Sequence, residues 1–272
     1  MTDFTKLRAQ AMSHGEDEEA VTVNTRALID KVLARYSGEW TTLRELLQNA
    51  ADAQATTVKI KFETLPSTTV PLPTNASQSE LLKHTLLHAT LRRLLVSNDG
   101  LVFGEADWSR LKRIAEGNPN EEKIGAFGVG FYSVFADCEE PFVSSGKKAM
   151  AFYWKKDSLF TKQIQVEDGT NDTSFVLDYR NSTTPVPSLV SLSQFLATSL
   201  TFVALQNIEL WIDDWKIISL KKTTSPSSNV AIPRDITTTT KEGMMNVMGL
   251  ARESVQMRAD FMSIVGWRPS SN

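Results

Sequence analysis

The chain has 272 residues, 41% hydrophobic and 22% charged, which is enough to bury a full core in one large domain or two smaller ones. Its 29 Lys and Arg against 32 Asp and Glu leave a formal net charge of -3, so no chain-wide basic field exists to attract nucleic acid or anionic lipid, and neither is expected as a partner. A single cysteine, Cys138, excludes an internal disulfide and a multi-thiolate zinc site, and no apolar run approaches the roughly 20 residues of a membrane span; the expectation is an intracellular protein, cytoplasmic or nuclear.

Residues 1–20 carry clustered charge at Glu16, Asp17, Glu18 and Glu19 and read as a flexible segment, with order expected from Val21. Ala27, Leu28, Ile29, Val32 and Leu33 then recur at helical spacing. A second helix is predicted from Thr41 or Thr42, either able to cap it, through Ala53, and the alternation Val58, Ile60, Phe62 predicts a strand. Residues 65–74 form a proline-rich loop, residues 79–91 return to helical periodicity, and residues 94–97 make a short apolar strand. A helix over 106–115, a polar loop over 117–122 and a glycine cluster over 125–130 follow, with another helix starting there.

Short strands are predicted over 142–144, 149–154, 163–166 and 173–179, separated by turn residues as in an antiparallel meander. Residues 191–200 read as a helix, and Ile208, Leu210 and Ile212 alternate into a hairpin about Asp213-Asp214. Residues 223–228 read as a linker and 241–265 as a long methionine-rich helix. The class is α+β, with one domain over 21–222 and a linker and helical segment over 223–272 that could open a further domain of a longer protein.

Four features carry chemistry. On a helix over 42–53, Glu45, Asn49 and Asp52 share a ridge opposite Leu43, Leu46, Leu47 and Ala50. Any amphipathic helix has such a polar side; the functional reading is a neutral oxygen ligand for Mg²⁺ at Asn49 and a water-activating base at Glu45. Gly125, Gly128 and Gly130 run through Val129 into Phe131, where missing side chains let main-chain N–H groups approach phosphate, although such turns also serve tight packing. Neither the dinucleotide fingerprint nor the Walker-type loop fits this spacing.

Asn98-Asp99-Gly100 ends an apolar strand, where a carboxylate could accept from the exocyclic amine of adenine and the glycine would let the base lie close; the triplet is also an ordinary turn signal. Thr173 heads a strand and could join the same contact. His84 and His88 stand one helical turn apart with no third ligand, and read as ordinary helix residues.

In this order the signals resemble the GHKL ATPases, named for gyrase, the ninety-kilodalton heat-shock chaperone, histidine kinases and MutL. LRELLQNAADA resembles the N box, NDG the first glycine box, and KIGAFGVGFYSVF the second glycine box of the chaperone branch. QNAADA, NDGLVF with a following DW, and FGVGFYSVF are most similar to sacsin-type repeats, and DTSFVLDY resembles the strand that closes the adenine pocket. The resemblance covers about residues 21–180.

It implies a two-layer Bergerat fold: a mixed, mostly antiparallel sheet, helices on one face, and ATP held beneath a lid over about residues 101–124. By the resemblance Glu45 is the general base, Asn49 the Mg²⁺ ligand, Asp52 a pocket wall, Asp99 the adenine anchor, Gly125, Gly128 and Gly130 the phosphate cradle together with Val129 and Phe131, and Thr173 the adenine-side partner. Gly100 is followed by Leu101, Val102 and Phe103 rather than a second glycine, and aligning on Gly100 puts Asn98 in the adenine role instead of Asp99. The implied function is ATP binding with slow hydrolysis to ADP and phosphate, lid closure acting on protein clients or on other domains of a longer chain. A non-hydrolysing nucleotide-sensing scaffold and a kinase-type member are the alternatives.

Overall fold

The computed structural model describes residues 24–34, 38–113, 130–230, 250–252 and 254–261. The expectation for residues 1–20 lies outside them. Helix α1 (Thr25–Leu33) leads to α2 (Thr41–Asp52), strand β1 (Thr57–Leu65), α3 (Gln78–His88), β2 (Thr90–Asn98) and α4 (Glu105–Arg110). A 3-10 helix (Phe131–Ala136) precedes the long hairpin β3 (Phe142–Lys155) and β4 (Ser158–Asp178). Then come α5 (Leu189–Phe202), β5 (Asn207–Ile212), β6 (Trp215–Thr224), β7 (Ser228–Val230), β8 (Leu250–Arg252) and β9 (Val255–Phe261).

Seven strands form one sheet in the order β3-β4-β2-β1-β5-β6-β9, and β7 pairs with β8 separately. Only β1 and β5 run parallel within the sheet; the other neighbours are antiparallel. The expected α+β class with a mixed, mostly antiparallel sheet is therefore what the chain adopts.

Strand alternation decides where the core sits. Val58, Ile60 and Phe62 of β1, Leu94 and Val96 of β2, and Ile208, Leu210 and Ile212 of β5 are buried on one face, against Leu43, Leu46, Leu47 and Ala50 of α2 and Leu192, Leu196 and Leu200 of α5. The other face carries charge. Arg93 bonds Asp178 at 2.6 Å and lies 3.8 Å from Glu63, directly across the strands, while Lys59 and Lys216 sit over the ring of Trp211. Helices on one side and a charged ladder on the other make two layers.

Several sequence expectations change. Neither Thr41 nor Thr42 caps α2: the cap position is Trp40, the Thr41 hydroxyl donates to the Gly38 carbonyl, and the Thr42 hydroxyl donates to the Ser133 carbonyl. The four short strands are one long hairpin, because β3 and β4 keep pairing past the glycines through register shifts at Gly146. The helix expected after Gly130 is a single 3-10 segment.

The methionine-rich helix is also corrected. Residues 255–261 form a strand on the open edge of β6, with Val255, Met257 and Ala259 alternating at period two; Thr223 and Thr224, expected in a linker, pair with Gln256 and Val255. The rest of 241–265, apart from β8 and Ser254, lies outside the described residues.

Leu196, fully buried between α5 and the sheet, should lose about 2–5 kcal/mol of stability on change to Ala. Arg93→Ala, which removes only half-exposed ion pairs, should cost about 1 kcal/mol or less. Urea unfolding followed by circular dichroism measures both.

Candidate functional site

Helix α2 presents its polar ridge beside two close main-chain approaches. Glu45 is half-buried, and the Glu45, Asn49 and Asp52 side chains have no hydrogen-bond partner among the described residues. At the N-terminal side of the ridge, Gly130 opens the 3-10 helix directly against Glu45. A Cβ added at Gly130 would overlap Glu45 Oε2 and stand 3.0 Å from its Cδ. Gly130 has φ −56°, open to any residue, so a side chain there would meet only the end of the Glu45 side chain and would push that carboxylate aside.

Burial penalises the ionised Glu45 carboxylate and raises its pKa above the ordinary carboxylate value, against a smaller opposing pull from Arg44. A carboxyl so placed holds a proton more readily than a surface one and is a stronger base once ionised.

At the C-terminal end of α2, the turn after β2 packs onto the helix. The Leu101 N–H donates to the Ala53 carbonyl at 2.7 Å, and a Cβ on Gly100 would come within 2.7 Å of that same oxygen. This approach brings Asn98, Asp99 and Gly100 to the end of the ridge that carries Asn49 and Asp52.

Asn98 and Asp99 have different surroundings. Asp99 is exposed: its Oδ1 accepts from the Thr56 and Thr57 N–H groups at 2.8 Å each, and its Oδ2 accepts from the Thr56 hydroxyl at 2.6 Å. Partial burial opposes its ionisation, but these hydrogen bonds outweigh it and hold the carboxyl below the usual range. Asn98 is buried, with Oδ1 accepting from the Gly100 N–H at 3.1 Å. Of the two residues, Asn98 faces the interior and Asp99 ties the strand end to the start of β1.

Thr173 stands opposite Asn98 in register and is also buried. Its hydroxyl is 2.6 Å from that of Ser145, which accepts from the Phe103 N–H at 2.9 Å. Ser145, and the Thr56-Thr57 pair, escaped sequence reasoning, since hydroxyl residues in strands carry no distinguishing signal until the register is known.

The other site residues are divided. Gly125, Gly128 and Val129 lie outside the described residues. The Phe131 side chain packs among Tyr132, Phe152 and Phe175 in the core, so only its main chain can face a ligand.

Of the expected lid, 101–113 is described and is anchored. Trp108 is buried with Phe103 at its edge, the Tyr132 hydroxyl donates to the Leu111 carbonyl, and Lys148 pairs with Glu105.

A cavity of about 290 Å³ lies elsewhere, between the N-terminus of α2, the 3-10 helix and the beginning of β2, and none of the expected site residues lines it. Cys138 borders it, with burial pushing its thiol up to about 11, so it is protonated and unreactive at neutral pH. Among the described residues no group of three or more His, Cys, Asp or Glu could hold a metal ion, and no helix is long and apolar enough to cross a membrane.

The family model described as the Sacsin domain matches residues 22–200. The chain belongs to the sacsin-domain family. A second model, described as a protein of unknown function (DUF3684), matches residues 200–272. Human sacsin is 28% identical over 145 residues, 53% of this chain and 3% of its own length. The chaperone protein HtpG of Desulfitobacterium hafniense is 30% identical over 182 residues, 61% of this chain and 29% of its own. An endoplasmin homologue of Dictyostelium discoideum is 28% identical over 170 residues, 57% of this chain and 22% of its own. The sacsin-domain chain thus spans less than a third of each of these relatives.

Asp99→Ala should cost about 1 kcal/mol at neutral pH through loss of the Thr56 and Thr57 bonds. Because the folded pKa of Asp99 is depressed, its contribution is present above the unfolded value, about 3.9, and is lost as pH falls through the folded value. Urea titrations at stepped pH should therefore show the variant and the parent converging in acid.

Proposed function

We infer that the sacsin-domain chain is a chaperone-type ATP-binding module with slow hydrolysis, its nucleotide held along the polar ridge of α2. The observation that carries this reading is the contact of a half-buried carboxylate, Glu45, without a hydrogen-bond partner among the described residues, with Gly130 at the start of the 3-10 helix, on the same helix face as Asn49. The chaperone names of the HtpG relatives and the order of the motif-bearing segments support it.

In this reading Asn49 supplies a neutral amide oxygen to Mg²⁺, a hard cation that keeps several waters and needs few protein ligands beside phosphate. Mg²⁺, when bound, neutralises phosphate charge. Glu45, one turn away, orients the attacking water and takes its proton at a carboxylate oxygen. Asp52 walls the pocket, Asn98 and Thr173 line its base end, and Gly130 and the Phe131 main chain face the phosphates; the resemblance gives Gly125, Gly128 and Val129, outside the described residues, the same role. Lid closure over 101–124, which would first have to release the contacts of Trp108, Leu111 and Glu105 that anchor 101–113, would pass the nucleotide state to protein clients or to the remainder of a longer protein.

Isothermal titration with ATP, ADP and a non-hydrolysable analogue, with and without Mg²⁺, tests the premise. Saturable, Mg²⁺-sensitive binding is expected; no binding to intact protein would overturn it. Glu45→Gln should keep ATP binding and lower phosphate release by about a hundredfold or more. Parent turnover should fall as pH drops through the raised Glu45 pKa, above the range of an ordinary carboxylate, since the base must be ionised.

A raised folded pKa also means that ionised Glu45 weakens the fold, by a penalty absent below the unfolded pKa and complete above the folded one. Glu45→Gln should accordingly melt higher than the parent at neutral pH. Gly130→Ala should lose turnover as well, because its methyl group displaces the Glu45 carboxylate.

A further inference from the structure

The base end of the pocket carries an amide. Asn98 is 5% exposed, and the one hydrogen bond of its side chain among the described residues is the acceptance at Oδ1 from the Gly100 N–H. A main-chain N–H requires an acceptor, so that bond fixes which end of the amide is oxygen and leaves Nδ2, a donor, as the other.

The neighbouring carboxylate does not replace it. Both oxygens of Asp99 are engaged by Thr56 and Thr57, and its side chain is exposed where that of Asn98 is buried. Across the sheet from Asn98 are the buried hydroxyls of Thr173 and Ser145, which can donate or accept. None of these three sheet residues is an acceptor-only group; the carboxylate at this end of the ridge, Asp52, belongs to α2 and not to the sheet that carries Asn98.

Purines differ at the edge such a group would read. Adenine presents an amine donor at C6 and an acceptor at N1, whereas a 6-oxopurine presents a carbonyl acceptor at C6 and a donor at N1. A buried carboxylate can pair with the amine, but it faces the carbonyl with two acceptors unpaired, which is costly away from water. An amide meets either base: Nδ2 can donate to a C6 carbonyl, and the second lone pair of Oδ1 can accept from a C6 amine.

We propose that the pocket takes 6-oxopurine nucleotides as well as adenine nucleotides, with Asn98 as the residue that sets base selectivity. This rests on the nucleotide-site reading above and adds to it the class of base admitted.

The probes are ATP and inosine triphosphate, which differ only at the C6–N1 edge, titrated with Mg²⁺ into the intact chain by calorimetry. The parent should bind the two with Kd values within about tenfold of each other. Asn98→Asp should widen the ratio to about a hundredfold or more, mainly by losing the inosine nucleotide.

A parent that binds ATP but binds the inosine nucleotide about a hundredfold or more weaker overturns the proposal. Binding of neither nucleotide overturns the nucleotide-site reading and this proposal with it, a pattern distinct from ATP-only binding. Because a buried carboxylate could unfold the Asn98→Asp variant, thermal melting accompanies its titration, and the parent ratio decides on its own if that variant is unfolded.

Discussion

Helix α2 is approached by glycine main chain at two points along its polar ridge. At one end Gly130 lies on the Glu45 carboxylate; at the other Gly100 lies on the Ala53 carbonyl, which also accepts the Leu101 N–H. Between these points Leu43, Leu46, Leu47 and Ala50 are buried beneath the helix, so its rotation and its axial position are both set. The ridge of Glu45, Asn49 and Asp52 is thereby presented as a fixed surface, as a site built on a rigid element requires. A methyl group at Gly130 or Gly100 would disturb that ridge although neither residue offers any chemistry of its own.

The adjacent residues Asn98 and Asp99 divide two tasks that one residue could not perform together. Asp99, exposed, spends its negative charge on the Thr56 and Thr57 amides and the Thr56 hydroxyl, fastening the end of β2 to the start of β1. Asn98, buried, is neutral, and a neutral amide can be taken out of water at far lower cost than an unpaired carboxylate. The Thr56 and Thr57 bonds hold Asp99 on the outside just past the end of β2, and the register with β4 sets Asn98 across from Thr173 and the Thr173–Ser145 hydroxyl pair.

The sheet also shows how the later part of the chain is used. Strand β9 adds to the edge left open by β6, and β5 is inserted parallel to β1, so segments after residue 200 build one flank of the sheet whose centre comes from the segment matched by the Sacsin-domain model. The outer face stays charged, with Arg93, Asp178 and Glu63 laddered across three strands. Such exposed pairs add little stability, and the stability resides in the face covered by α2 and α5.

The sequence by itself determined the α+β class, the polar ridge of α2, the strands that begin the sheet and the family resemblance, because these depend on local periodicity and on short runs of neighbouring residues. It missed the continuity of β3 and β4 and the strand nature of 255–261, since a strand is completed by a partner far away in the chain: β9 exists because β6 offers a free edge. It left open whether Asn98 or Asp99 faces inward. Only tertiary structure separated them, through the Thr56-Thr57 amides that claim Asp99 and the Gly100 turn that keeps Asn98 inside. Glycine at 130 was legible, but what it lies against was not: a carboxylate 85 positions earlier, brought there by the packing of α2 against the 3-10 helix.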